Sequence, residues 1–303
     1  MNINNFSVVI TTKDRFDFLE RCLWSIVGST IKPIDVIVIN DAGEEPYFLT
    51  ETFSKLLNIR IVTNDISKGA NYCRNLGSRL CQGEIVFFID DDDSFQPNSF
   101  ESRMSVFSNY RDVGLVFTGV NLCYSDELNR VVREINPHTS LSPRGYFKDL
   151  LTQGNVIGST SRVAIKKSVL FTVGGFDENL SSMQDYDLWI RVARGFEIRN
   201  DSSIGINYTI HQNSPMSQVS KKPLKYIEAS CYLLEKYKLD EGFNAYLCDF
   251  ESLLYLRVSL SAIDEFWMCK KYAVYSLFSK FNTKALVLFL VPSFIIKRVY
   301  PLV

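Results

Sequence analysis

Residues 85–93 read IVFFIDDDD, five apolar residues that run directly into four consecutive carboxylates. A strand without polar residues on either side suits the interior of a parallel sheet covered on both faces. The acids that follow would then lie at its carboxyl edge, where open α/β sheets bind ligands. Like charges a few ångströms apart repel by roughly 1 kcal/mol per pair in water and by more in a cleft, so a divalent cation is a natural counter-charge. Alternation along an extended chain puts Asp90 and Asp92 on one side and Asp91 and Asp93 on the other. One pair can then face a metal and a phosphate while the other caps the helix that Pro97 and Asn98 open. Hard oxygen ligands favour magnesium or manganese, ions that arrive with substrate phosphates. A solvated acidic turn gives the same letters, and the rest of the chain has to decide between the two readings.

The first hundred residues alternate as βαβ units. Val8–Ile10, Ile34–Ile39, Ile59–Val62 and Ile85–Ile89 have strand character. Phe16–Val27, Tyr47–Leu57 and Ala70–Cys81 have helical character, the first with Phe18, Leu19, Cys22, Leu23 and Ile26 on one face. If ligands bind at the carboxyl ends, the polar residues after each strand should converge. These are Thr11, Thr12, Asp14 and Arg15, then Asn40 and Asp41, then Asn64, Lys68 and Gly69, then the Asp cluster. Ordinary loop polarity would supply most of these residues, and only the Asp cluster is unusual by itself. Beyond residue 110 the pattern turns mixed, with strands expected at Gly114–Val120 and Arg130–Ile135 and a short helix at Tyr146–Leu151. After Lys221-Lys222-Pro223 almost everything to residue 281 is helical, which places a boundary between regions 1–221 and 222–303.

Composition excludes several classes. The 303 residues are 46% hydrophobic, enough for a substantial core, and the net charge of -1 gives no basic footprint for nucleic acid. The seven cysteines form no CxxC pair and no zinc-like spacing with histidine, so they read as reduced, mostly buried thiols of a cytosolic protein. MNINNFSVVITT lacks the basic and apolar regions of a signal peptide, which puts the expected location in the cytoplasm. Ala285–Ile296 is uncharged and flanked by Lys284, Lys297 and Arg298. A helix of that length covers about 18 Å, short of the roughly 30 Å of a hydrocarbon core. The segment is a buried terminal helix, a peripheral anchor at the inner face of the cell membrane, or a homodimer contact.

Four stretches in order resemble the family 2 glycosyltransferases: SVVITTKDRFDFLERCLWSI, VIVINDAG, NDISKGANYCRNLGSRLCQGEIVFFIDDDD and GGFDENLSSMQDYDLWIRVA. The resemblance spans residues 6–217. It implies an α/β fold of the GT-A type, a Rossmann-like mixed sheet flanked by helices, followed here by a helical C-terminal region. It also implies an inverting transfer of a sugar from a nucleotide donor, with UDP the expected nucleotide. Carried over, it sets Thr11, Thr12 and Arg15 in the nucleotide pocket, Asp41 on the base, and Lys68 and Arg74 near the nucleotide. Asp90, Asp91 and Asp92 cover the DXD motif. Asp92 is the expected direct ligand of Mn²⁺ or Mg²⁺, with Asp90 or Asp91 on ribose or metal-bound water.

The chemistry asks for these groups. A leaving diphosphate gathers negative charge that a carboxylate-held divalent ion stabilises. The acceptor hydroxyl must lose a proton, for which a positioned carboxylate serves as general base, worth about 10²- to 10⁴-fold. The resemblance places that base at Asp185, although Gln184 stands where the first acid of the family's pair lies. Helix capping is the structural alternative for Asp185, and Asp187 reads as structural. His211, opening HQNSPMS, is the expected third metal ligand or diphosphate contact, with Ser217 its neighbour, whereas His138 reads as a satisfied histidine. Gly174-Gly175 would turn Phe176, Asp177 and Glu178 toward the acceptor, Gln153-Gly154-Asn155 would border the cleft, and Trp189 suits the core. The acceptor class expected from the resemblance is a hydroxyl of a growing surface polysaccharide, such as O-antigen or capsule, or of a lipid-linked oligosaccharide. A sugar nucleotidyltransferase would want a glycine-rich loop after the first strand, which TTKDRFD is not. A catalytically silent sugar-nucleotide-binding scaffold remains the other alternative, favoured by Gln184.

Overall fold

The computed structural model describes residues 5–125, 130–211 and 222–299. It divides into two compact units: residues up to Tyr146 with Ile157–Glu178 and Leu188–Thr209, and Phe147–Val156 with Asn179–Asp187 and the chain from Ile210 onward.

The first unit is built on one mixed sheet. Its strands are β1 (Phe6–Thr12), β2 (Asp35–Asn40), β3 (Ile59–Thr63), β4 (Ile85–Asp90), β5 (Ser94–Phe95), β6 (Val113–Tyr124), β7 (Val131–Ile135), β8 (Val163–Lys166) and β9 (Glu197–Ile210). They are ordered β3-β2-β1-β4-β8-β6-β9-β5, with β7 on β6. The first four are parallel, joined by α1 (Phe16–Val27), α2 (Tyr47–Phe53) and α3 (Ala70–Leu80). β8 then runs antiparallel to β4, and β6 antiparallel to β8.

Burial explains why these segments are strands. β2 is buried at all six positions and β4 at its first five, so both lie covered on two faces as their apolar runs require. The chain steps outward from β1 to β3 and α3 carries it back to β4 on the other side of β1, so the order reverses between β1 and β4. That reversal opens a crevice at the carboxyl ends of two neighbouring strands, and the register there sets Thr11 against Asp90. α3 lies close on the sheet because Gly77 carries no side chain, a Cβ there falling 2.5 Å from Val9 Cγ1. Beneath β4, Phe6, Phe87, Phe95 and Phe100 pack with ring centroids 4.4–5.1 Å apart.

The helices α4 (Ser99–Asn109), α5 (Tyr146–Gln153), α6 (Lys167–Thr172) and α7 (Gln184–Gly195) lie between the later strands in sequence. The second unit also holds α8 (Pro223–Tyr237), α9 (Leu247–Ser261), α10 (Phe266–Ser279), α11 (Thr283–Leu290) and α12 (Ser293–Val299). Its last four helices meet around Leu256, Cys269, Ala273, Ala285, Leu288 and Ile296. Among the described residues, no helix is long and apolar enough to cross a membrane.

Expected elements differ from observed ones in a few places. The second helix ends at Phe53, four residues early, and β8 and α6 carry no signal long enough to read from sequence. β9 is 14 residues long and runs from Glu197 to Ile210, with a polar first half that gives no strand period. Five of the seven cysteines are buried, with Cys231 and Cys248 exposed, and none is paired. Trp189 is fully buried and donates from Nε1 to the Gly158 carbonyl at 2.9 Å, a core residue as its sequence setting suggests.

Candidate active site

The acidic turn follows β4, and exposure alternates along it. The side chains of Asp90 and Asp92 keep 32% and 18% of their surface, while Asp91 keeps none and Asp93 is buried. The inward pair does not cap α4, whose N-cap is Asn98, with no capping hydrogen bond from its side chain. Instead Asp91 accepts from Thr12 Oγ1 at 2.6 Å and from Arg15 Nε at 3.2 Å, and its other oxygen forms an ion pair with the same guanidinium. Asp93 accepts from the Thr209 amide at 2.9 Å and holds its other oxygen buried without a hydrogen bond. Burial, reinforced by Asp92 and Asp90, pushes the Asp93 carboxyl well above the usual range. Burial also raises Asp91 to about 6, against the hydrogen bond from Thr12 and the charge of Arg15.

Arginines balance the outward pair. Arg15 Nη1 lies 2.9 Å from Asp92, and Arg74 Nη2 lies 2.6 Å from Asp90. Arg74 is buried over the Phe176 ring, and its Nη1 has no hydrogen-bond partner. Thr12, Arg15 and the Asp turn, which follow β1 and β4, are therefore brought together, and Arg74 reaches the same turn from α3. Thr11 sits beside Asp90 in the register.

Asp41 follows β2 and is committed to one loop. Its Oδ1 accepts from Asn64 Nδ2 at 2.9 Å and the Lys68 amide at 2.8 Å, and its Oδ2 from Ser67 Oγ at 2.7 Å and the Gly69 amide at 2.9 Å. Burial opposes its ionisation, yet these four donors hold the carboxyl well below the ordinary range. The Lys68 side chain lies over the Tyr72 ring at 4.5 Å.

Sequence reasoning missed the residues that hold the turn in place. Arg21 on α1 donates to the Asp92 carbonyl and, at 3.0 Å, to Thr209 Oγ1, and Thr209 Oγ1 donates to the same carbonyl. Ser161 Oγ accepts from the Asp90 amide at 3.1 Å. Asn75 fixes the Gly174-Gly175 turn: it accepts from the Phe176 amide at 2.8 Å and donates to the Phe176 carbonyl at 2.9 Å and to Glu178 at 2.8 Å. Gly175 needs its freedom there, since its φ is 72° and a Cβ would fall 2.6 Å from Asn75 Oδ1. The only signal for these in sequence is position after a strand or opposite one, which a single chain does not distinguish from ordinary polarity.

Asp185 and His211 belong to the second unit. Asp185 lies in the first turn of α7, accepting from the Tyr186 amide at 2.7 Å and from Asn155 Nδ2 at 3.1 Å. Asp187 is fully buried, 2.9 Å from Lys236 Nζ and 2.7 Å from Tyr237 Oη, a structural setting. Ser217 lies outside the described residues. His138 gives its carbonyl to Tyr146 Oη at 3.0 Å and to Asn200 Nδ2 at 2.9 Å.

Among the described residues, no group of three or more His, Cys, Asp or Glu gathers into a metal-holding cluster. The donor set still suits a hard divalent ion, because magnesium and manganese are commonly held by one or two carboxylates together with substrate phosphates. Asp92 and Asp90 carry the partly exposed carboxylates of the turn.

A mixed sheet whose parallel half ends in a paired acidic and basic crevice, flanked by helices, defines the GT-A fold. Over 98% of its length the chain superposes with a TM-score of 0.64 on a mannosyltransferase from Pyrobaculum calidifontis in complex with GDP-Man and Mn²⁺, at 14% identity and 82% coverage of that chain. S. aureus TarS 1–349 superposes at 0.56 over 97% of this chain and 92% of its own, at 13% identity. The profile of Glycosyl transferase family 2 matches residues 7–172, and the chain belongs to that family. An uncharacterized glycosyltransferase of Haemophilus influenzae is 25% identical over 187 residues, 61% of each chain. The glucosyl-dolichyl phosphate glucuronosyltransferase of Haloferax volcanii is 25% identical over 183 residues, 59% of this chain and 58% of that one. Less than two thirds of either relative's length is matched.

Proposed function

We propose that the chain is an inverting, metal-dependent glycosyltransferase that moves a sugar from a nucleotide donor, most simply a UDP-sugar, to a hydroxyl of a surface polysaccharide or lipid-linked oligosaccharide. The observation that carries this reading is the crevice after β1 and β4. There two partly exposed carboxylates, each beside an arginine, stand at the reversal of strand order. Asp92, with Asp90, holds Mn²⁺ or Mg²⁺, and His211 is the third expected ligand. When bound, the ion acts as a Lewis acid on the donor diphosphate. Arg15, whose side chain is 42% exposed, and Arg74, with an unsatisfied Nη1, supply further positive charge to the phosphates. The loop from Asn64 to Gly69, fixed on Asp41, is the wall of the base pocket. Because Asp41 already accepts four bonds, a base N–H reaches it by displacing one, and the Ser67 hydroxyl is the donor free to turn away.

Asp185 is the general base that takes the proton of the acceptor hydroxyl. Its Oδ2 accepts from Asn155, a bond that orients the carboxylate. The likeness to a relative named a glucosyl-dolichyl phosphate glucuronosyltransferase supports a lipid-linked acceptor. On this reading the group moved is a hexosyl or N-acetylhexosaminyl sugar, and the chain works as a peripheral protein at the cytoplasmic face of the membrane. Asp185→Asn tests the reading: donor affinity stays near that of the wild type while transfer falls at least about 100-fold. Near-normal turnover with donor still bound would remove Asp185 as the base, and donor binding without turnover, unchanged by Asp185→Asn, would return the chain to a silent sugar-nucleotide-binding scaffold.

A further inference from the structure

The outward side of the last three helices is apolar. On α10, Trp267, Lys271, Tyr275 and Phe278 recur at helical spacing as one exposed stripe, with Trp267 at 82% and Phe278 at 85% exposure. The opposite side of the same helix, Cys269, Ala273 and Ser276, is buried. A helix at a water-facing surface ordinarily turns polar residues outward, whereas α10 turns three aromatic rings outward with Lys271 among them. Phe281 before α11, Leu290 at its end and Phe294 on α12 are exposed as well.

Charge narrows what can cover it. From Phe266 to Val303 the sequence holds six lysines and arginines and no aspartate or glutamate. Two lysines are engaged internally: Lys270 donates to the Leu288 and Val291 carbonyls at 2.6 and 2.8 Å, and Lys280 pairs with Asp249 at 2.6 Å. Lys271 lies beside the Tyr272 and Tyr275 rings, and Lys284 is exposed. The acids next to this stretch in sequence, Asp264 and Glu265, precede α10. A second copy of the same surface would set like charges against like. Aromatic rings with lysines that can extend past them match an anionic headgroup layer over an acyl boundary. The helices α11 and α12, of eight and seven residues, are too short to span a bilayer and can only lie in its surface.

We infer that the outer faces of α10, α11 and α12 dock on an anionic lipid surface, Trp267, Phe278, Phe281 and Phe294 entering the headgroup–acyl boundary while the lysines meet lipid phosphates. The inference rests on the peripheral placement proposed above, extends it from residues 285–296 back to α10, and assigns the lipid its charge. It is independent of the transferase chemistry.

Sedimentation of the full chain with vesicles of phosphatidylcholine, or of phosphatidylcholine and phosphatidylglycerol in equal parts, tests it. Binding to the anionic vesicles exceeds binding to the neutral ones at least about tenfold and weakens with salt. Trp267→Ser with Phe278→Ser, and separately Lys271→Glu with Lys284→Glu, each lower anionic binding at least about tenfold with circular dichroism and UDP-sugar affinity unchanged. Absence of binding to anionic vesicles overturns the inference, as does equal binding by either double variant. A dimer in light scattering that Trp267→Ser with Phe278→Ser dissociates, in a protein that ignores vesicles, assigns the face to a second copy and also overturns it. Donor affinity read on the same preparations separates this failure from a failure of the transferase reading.

Discussion

Asp41→Asn exchanges one acceptor oxygen of the most heavily bonded carboxylate at the crevice for an amide NH₂. In the better setting the NH₂ replaces Oδ2, where the Ser67 hydroxyl can turn to accept from it but the Gly69 amide cannot. One bond to a charged acceptor is lost, worth about 1.5–3 kcal/mol, and the two bonds to Oδ1 fall from charged to neutral strength, about 1 kcal/mol each. Release of the loop to water limits the total, so the expected loss is about 3 kcal/mol. Urea unfolding at neutral pH reads it as a lower midpoint, and hydrogen exchange reads it as faster exchange of the Lys68 and Gly69 amides. The sign with pH follows from the lowered carboxyl. The Asp41 contribution is fully present above the unfolded carboxylate value near 4 and is lost as pH falls through the lower folded value. The gap between wild type and variant therefore holds from pH 5 to 8 and narrows below about 4. Equal stability within about 0.5 kcal/mol at pH 7, or equal exchange of the two amides, would refute the loop-anchoring role.

Thr209→Val removes the hydroxyl that donates to the Asp92 carbonyl and leaves the amide bond to Asp93 in place. We expect about a fivefold weaker Mn²⁺ dependence of donor binding, equivalent to about 1 kcal/mol, whereas a merely structural role would lower the melting temperature and leave metal affinity alone. Asp187→Asn leaves Lys236 without its buried counter-charge, and since that lysine is 25% exposed the cost is about 2 kcal/mol in urea unfolding. An unchanged midpoint would mean the Tyr237 hydroxyl alone satisfies the site.

The parallel half of the fold was legible because its strands are continuously apolar and its helices carry a clear stripe, as in α1 with Leu19, Cys22, Leu23 and Ile26 buried. The antiparallel half was less so. β8 is four residues, and the first half of β9 is partly exposed and polar, leaving no period to read. At the crevice, residue types and their places after strands suggested Arg15 and the Asp turn, and the family resemblance suggested Arg74. Their pairing depends on the reversal between β1 and β4, which spacing along the chain does not contain. Asp41 shows the opposite case. Its place after β2 and the family resemblance suggest a ligand contact, whereas in the fold its oxygens are occupied by residues 64–69. The supports Arg21, Thr209, Ser161 and Asn75 act through bonds between residues 71 to 188 positions apart, beyond any local pattern.

Calorimetric titration of a panel of nucleotide sugars into the purified chain, with Mn²⁺ and then with EDTA, tests the donor site most directly. The account predicts that one UDP-sugar binds with Mn²⁺ and that EDTA abolishes or greatly weakens the binding. Binding indifferent to the metal, or no binding in either condition, would contradict a donor site built on Asp90 and Asp92.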